Sequence, residues 1–67
     1  MNSIQLRALQ YVKNTNGGAT KAHFLEDHEP IGERLWADLD GMIRQDENAR
    51  IHLTEAGEAA LARGKAG

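Results

Sequence analysis

One residue does most to fix what this chain can become: its only proline, Pro30. Proline disfavours helical backbone in the residue before it and suits the first turn of a following helix. Helical patterns lie on both sides, so the middle of the chain is expected to fold as helix, sharp turn, helix. Upstream, Thr20 is a good N-cap for a short helix from Lys21 to about His28, burying Ala22, Phe24 and Leu25. Downstream, a third helix is predicted from Ile31 to about Gln45. Ile31, Leu35, Leu39 and Met42, with Trp36 and Ile43, fill one apolar arc of about 140° at roughly 100° per residue. Glu33, Arg34, Ala37, Asp40, Gly41 and Arg44 occupy the opposite face.

The flanks are read the same way. Leu6, Leu9 and Val12 recur at helical intervals from Asn2 to Asn14 with Ile4 and Ala8 beside them; Asn2 or Ser3 can cap this helix, and Asn2 with Gln5 has capping-box spacing. Asn14-Thr15-Asn16-Gly17-Gly18 stops that helix, since asparagine and glycine readily supply positive φ. Ala19 then adds a residue or two of strand. After the polar break Asp46-Glu47-Asn48, Arg50-Ile51-His52-Leu53 alternates as a short strand with Ile51 and Leu53 inward. Thr54 caps a final helix from Glu55 to about Arg63, and Gly64 fits its C-terminal cap before a frayed Lys65-Ala66-Gly67.

Sixty-seven residues make one domain, 1–67, near the lower limit for folding without a staple. Because there is no cysteine, disulfides and thiolate metal sites are excluded. No apolar run is long enough for a membrane span, and the start lacks the pattern of a secretory signal, so a cytoplasmic protein without membrane association is expected. A core this small supports only a few kcal/mol of stability, which leaves room for dimerisation.

From Leu35 onward the chain resembles the winged-helix domains of bacterial regulators, especially the multiple-antibiotic-resistance repressor group. The phrase Arg50-Ile51-His52-Leu53-Thr54-Glu55-Ala56-Gly57 is similar to their strand-to-helix passage, hydrophobic-x-Leu-Thr-x-x-Gly. Gly57 would let the last helix lie close to the strand. Leu35, Leu39, Met42 and Ile43 resemble that family's recognition helix, and helix order matches from about Leu6 to Ala62. The expected fold is therefore mainly α: a winged-helix-like domain of three to four helices with a minimal two-strand sheet. The wing is expected to be truncated or absent, because only about Gln45 to Ala49 separates the predicted third helix from Ile51. The Leu53 strand would then pair, if at all, with the chain near Ala19.

The resemblance implies a DNA-binding module of the transcription-regulator type, with the third helix in the major groove and the second helix and wing on phosphate. Charge opposes this. Residues 21–47 hold three lysines and arginines against eight acids, whereas DNA affinity comes largely from cations neutralising phosphate. The contacts to double-stranded DNA fall on Lys21, Arg34, Arg44 and Arg50. The alternative is a protein-interaction or dimerisation module that does not touch DNA, using Glu33, Trp36, Ala37, Asp40 and Gly41. There, Ala37 and Gly41 would leave a shallow strip for a partner helix. Trp36 is expected mainly as a core residue.

Catalysis is not expected. Gly17-Gly18 lacks the phosphate-loop pattern, and no carboxylate pairs with a nucleophile in a recognisable motif. His23, His28 and His52 do not match zinc spacing, and His23 with Asp27 is read as a surface ion pair. No cofactor, metal or small-molecule substrate is expected.

Overall fold

A computed structural model of the chain describes residues 1–66, with side-chain surroundings described through Gly64. The order is α1 (Ser3–Thr15), α2 (Lys21–Asp27), α3 (Gly32–Asp38), β1 (Ile43–Gln45), β2 (Ile51–Leu53) and α4 (Glu55–Ala66). The fold is mainly helical, with one two-stranded antiparallel sheet. No helix among the described residues is long and apolar enough to cross a membrane.

The caps sit where side-chain chemistry places them. The Asn2 carboxamide accepts from the Gln5 N–H at 2.8 Å, and the Gln5 side chain accepts from the Asn2 N–H at 3.2 Å. At the other end of α1, Asn16 takes a left-handed conformation (φ 46°) and donates its N–H to the Val12 carbonyl. Thr20 caps α2, with His23 returning the bond through its ring Nδ1. Thr54 Oγ1 accepts from the Gly57 N–H at 3.1 Å and donates to the Gly41 carbonyl at 2.7 Å. One hydroxyl thus caps α4 and ties it to the turn leading into β1.

The third helix is much shorter than its apolar arc suggests, ending at Asp38 rather than Gln45. Gly41 adopts φ +84°, a left-handed backbone conformation that residues with a Cβ rarely adopt. It lies in the turn after α3, and the freed residues Ile43–Gln45 become β1. That releases enough chain for a short hairpin: the expected two-strand sheet forms, and of the two expectations, truncated or absent, the hairpin meets the first. The hairpin is short, with Ile43 opposite Leu53, Arg44 opposite His52 and Gln45 opposite Ile51. Pairing with the chain near Ala19 also forms: the Ile51 N–H donates to the Ala19 carbonyl at 2.9 Å, and Thr20 bridges Arg50.

Phe24, Leu9, Leu39, Ile51 and Val12 are fully buried and form the centre of the core. Tyr11 and Trp36 meet the Phe24 ring edge-on, with centroids 6.0 and 5.4 Å away. The Tyr11 hydroxyl donates to Asp27 at 2.6 Å, joining α1 to α2. Burial, with the Asp27 hydrogen bond and the nearby acids, pushes the Tyr11 phenol up to about 12. At Gly57 a Cβ would lie 2.2 Å from the Met42 carbonyl oxygen, so only glycine lets α4 seat against the base of the hairpin.

Other expectations are corrected. Ala22 is exposed, as is Ile31. Ile31 precedes α3 instead of packing inside it. Pro30 lies in the turn rather than in the first turn of the helix, which begins at Gly32. Gly64 lies inside α4, close to Leu6, instead of ending the helix, which continues to Ala66 where fraying was expected. Gly67 falls outside the described residues.

Candidate nucleic-acid interface

Pleating decides where the hairpin's side chains go. Cross-strand partners share a face and successive residues alternate, so Arg44, Asp46, Arg50 and His52 belong to one face, opposite that of Ile51 and Leu53. Ile51 is fully buried, which turns the charged face outward. The end of α1 meets it there, and Lys13 and Asn16 border a solvent-open notch with Arg44, His52 and Glu58.

The tip is organised around Asp46. Its Oδ1 accepts from the N–H groups of Asn48 (2.9 Å) and Arg50 (3.0 Å), and its Oδ2 meets His52 Nε2 at 2.8 Å. The His52 hydrogen bond, followed by that from Arg50, holds the Asp46 carboxyl below its ordinary range against the opposing effect of desolvation. His52 itself lies over Gly17, where a Cβ would stand 2.9 Å from the ring. The Arg50 guanidinium donates to the Gly18 carbonyl at 3.2 Å. Lys13 pairs with Glu58 at 3.1 Å, both about half exposed, and such solvated pairs contribute little to stability.

The four cations expected on DNA are thus split. Arg44 and Arg50 share the hairpin face. Lys21 lies with its Nζ 5.2 Å from the Trp36 ring centroid, a cation–π contact on the α2–α3 side. Arg34 borders a groove beside the start of α1, with Ile4, Ile31 and Asp38. Lys13 and His52 were missed as members of the basic face. The Arg50-x-His52 alternation carried a signal for His52. Lys13 had none, because its proximity depends on how α1 crosses the hairpin.

The alternative face does not exist as a helix surface. Glu33, Trp36 and Ala37 are on α3, but Asp40 and Gly41 lie beyond its end, so no Ala37–Gly41 strip forms. Trp36 is half-buried against Phe24. The histidines are engaged singly: His23 in the α2 cap, His28 with the Phe24 carbonyl at 2.7 Å, and His52 with Asp46. The expected His23–Asp27 pair is absent, Asp27 being taken by Tyr11. Among the described residues no three His, Asp or Glu side chains gather as a metal site.

Compared with known proteins, the chain matches no family model, no curated protein and no solved structure.

Proposed function

We propose that this domain is a small DNA-binding module of the transcription-regulator type, contacting duplex phosphate through the outer face of its hairpin and the end of α1. The observation that carries the proposal is the gathering of Lys13, Arg44, Arg50 and His52 on one side of the fold. Asp46 and Glu58 temper that side by pairing with His52 and Lys13, which leaves the Arg44 and Arg50 side chains without a carboxylate ion-pair partner among the described residues. The acids of residues 21–47, which argued against DNA, lie largely elsewhere: Glu26 and Asp27 on α2, Glu33 and Asp38 on α3. Phosphate contacts position a protein on DNA without reading sequence, so this face supplies affinity and register. The α3 surface, short and acidic, is not the main source of affinity.

A ¹H–¹⁵N titration with mixed-sequence duplex at low salt tests the proposal. The expected shifts fall on Lys13, Asn16, Arg44, Arg50 and His52, not on α3. With three cations on phosphate, log affinity is expected to fall with log salt at a slope of about −2 to −3, and Arg44→Ala to reduce that slope by about one. An unchanged spectrum at low salt overturns the proposal.

A further inference from the structure

The large hydrophobic side chains exposed among the described residues are Met1, Ile4 and Ile31, all at the start of α1 or the entry to α3. Ile4 and Ile31 are 50% and 42% exposed and together wall two adjoining grooves. One groove is bordered by Arg34 and Asp38, the other by Arg7, Glu29 and Pro30. The isoleucines therefore form a ridge framed by two cations and two acids. None of those four charges forms an ion pair within 4.0 Å inside the chain, among the described residues.

The balance of signs bears on the occupant. A strongly charged partner, whether nucleic acid or an anionic lipid surface, would meet as much repulsion as attraction around this ridge. A second copy carries the same two cations and two acids, so each sign has its opposite available on the partner, and the isoleucines of the two copies can cover each other. Closed two-fold contacts use one patch on both partners and so require this self-complementarity. We propose that the Ile4–Ile31 ridge is the contact between two copies of this chain, with Arg7 of each meeting Glu29 of the other. A standard interface buries about 800 Å² per partner, close to a fifth of the 4385 Å² this chain exposes. A ridge centred on two isoleucines is expected to bury less than that, so the dimer is expected to be a weak one. The ridge lies at the opposite end of α1 from Lys13, so it leaves the hairpin face open and does not depend on the DNA proposal.

Sedimentation equilibrium from micromolar to millimolar protein tests this without any ligand. The average mass is expected to rise from 7.4 kDa towards twice that value. Ile4→Asp and Ile31→Asp are expected to remain monomeric throughout, with their melting curves checking that the fold is intact. Arg7→Glu alone is expected to weaken association, and Arg7→Glu with Glu29→Arg, which inverts both partners, to restore it. A mass of 7.4 kDa at every concentration overturns the proposal. So does association that survives Ile4→Asp in a folded variant, or a double inversion that fails to recover it.

Discussion

The two ends of α1 present opposite kinds of surface. Where it finishes, side chains are charged and mostly engaged: Lys13 with Glu58, Arg50 with the Gly18 carbonyl, His52 with Asp46. Where it starts, the surface is apolar, and the charges around it have no ion-pair partner within the chain among the described residues. The difference lies in what holds each end. The hairpin end is fixed by main-chain bonds and by polar contacts of defined geometry, and two of its cations, Lys13 and Arg50, have partners before any ligand arrives. The other end is held by the helix packing beneath it, and its two isoleucines lack a cover. Pre-organised charge suits a polyanion, whose binding then orders little more of the protein. Uncovered apolar surface suits a partner that removes it from water.

The most damaging way to break the hairpin end is Gly57→Ala. The new methyl would sit 2.2 Å from the Met42 oxygen and 3.1 Å from its carbonyl carbon, so α4 must lift off the hairpin base. A loss of about 3 kcal/mol is expected, a large part of what a domain this size possesses, read as a lower urea midpoint. Gly41→Ala separates space from backbone conformation. Nothing lies within 4 Å of a Cβ at Gly41, so its cost comes from φ +84° alone and should be about 1–2 kcal/mol. Denaturation of the two variants side by side ranks them. A smaller loss at Gly57 than at Gly41 would mean that the hairpin base is not closely packed.

The smallest effect sharpens the comparison most. Asp46 has a folded pKa below its ordinary 3.8, chiefly through His52. Its contribution is therefore fully present above about pH 3.8 and is lost as pH falls through the lower folded value. Amide exchange of Asn48 and Arg50 should accelerate in that acid range, while exchange near Ile4 does not follow it. Asp46→Asn should remove the acid dependence at the tip, and persistence of that dependence would assign it to another group.

Much of this architecture is legible in the amino-acid sequence. Asn2, Thr20 and Thr54 were legible as caps because each is a short side chain with an oxygen acceptor directly before a helical pattern. The Ile51–Leu53 strand and its neighbour at Ala19 were legible from alternation and from the glycine-rich turn. The boundary between α3 and β1 was hidden. Leu35, Leu39 and Met42 keep helical spacing across it, and three residues of strand are too few to show a period of two. The signal was Gly41, which a helix interior accepts only at a cost of about 1 kcal/mol relative to alanine, and which the turn uses for its positive φ. The same error concealed the basic face. Arg44 and Arg50 could be named as cations from sequence, but their alignment with His52 follows from a strand register that a continuous third helix would have abolished.

Thr20 belongs to two structures at once. Its hydroxyl starts α2, and its backbone bridges Arg50 at the edge of the hairpin. A pull on β2 therefore reaches α2 at the residue that begins it, with no intervening loop to take up slack. The hairpin and α2 behave as a lever and its fulcrum: tilting one must either carry the other along or break the cap that joins them.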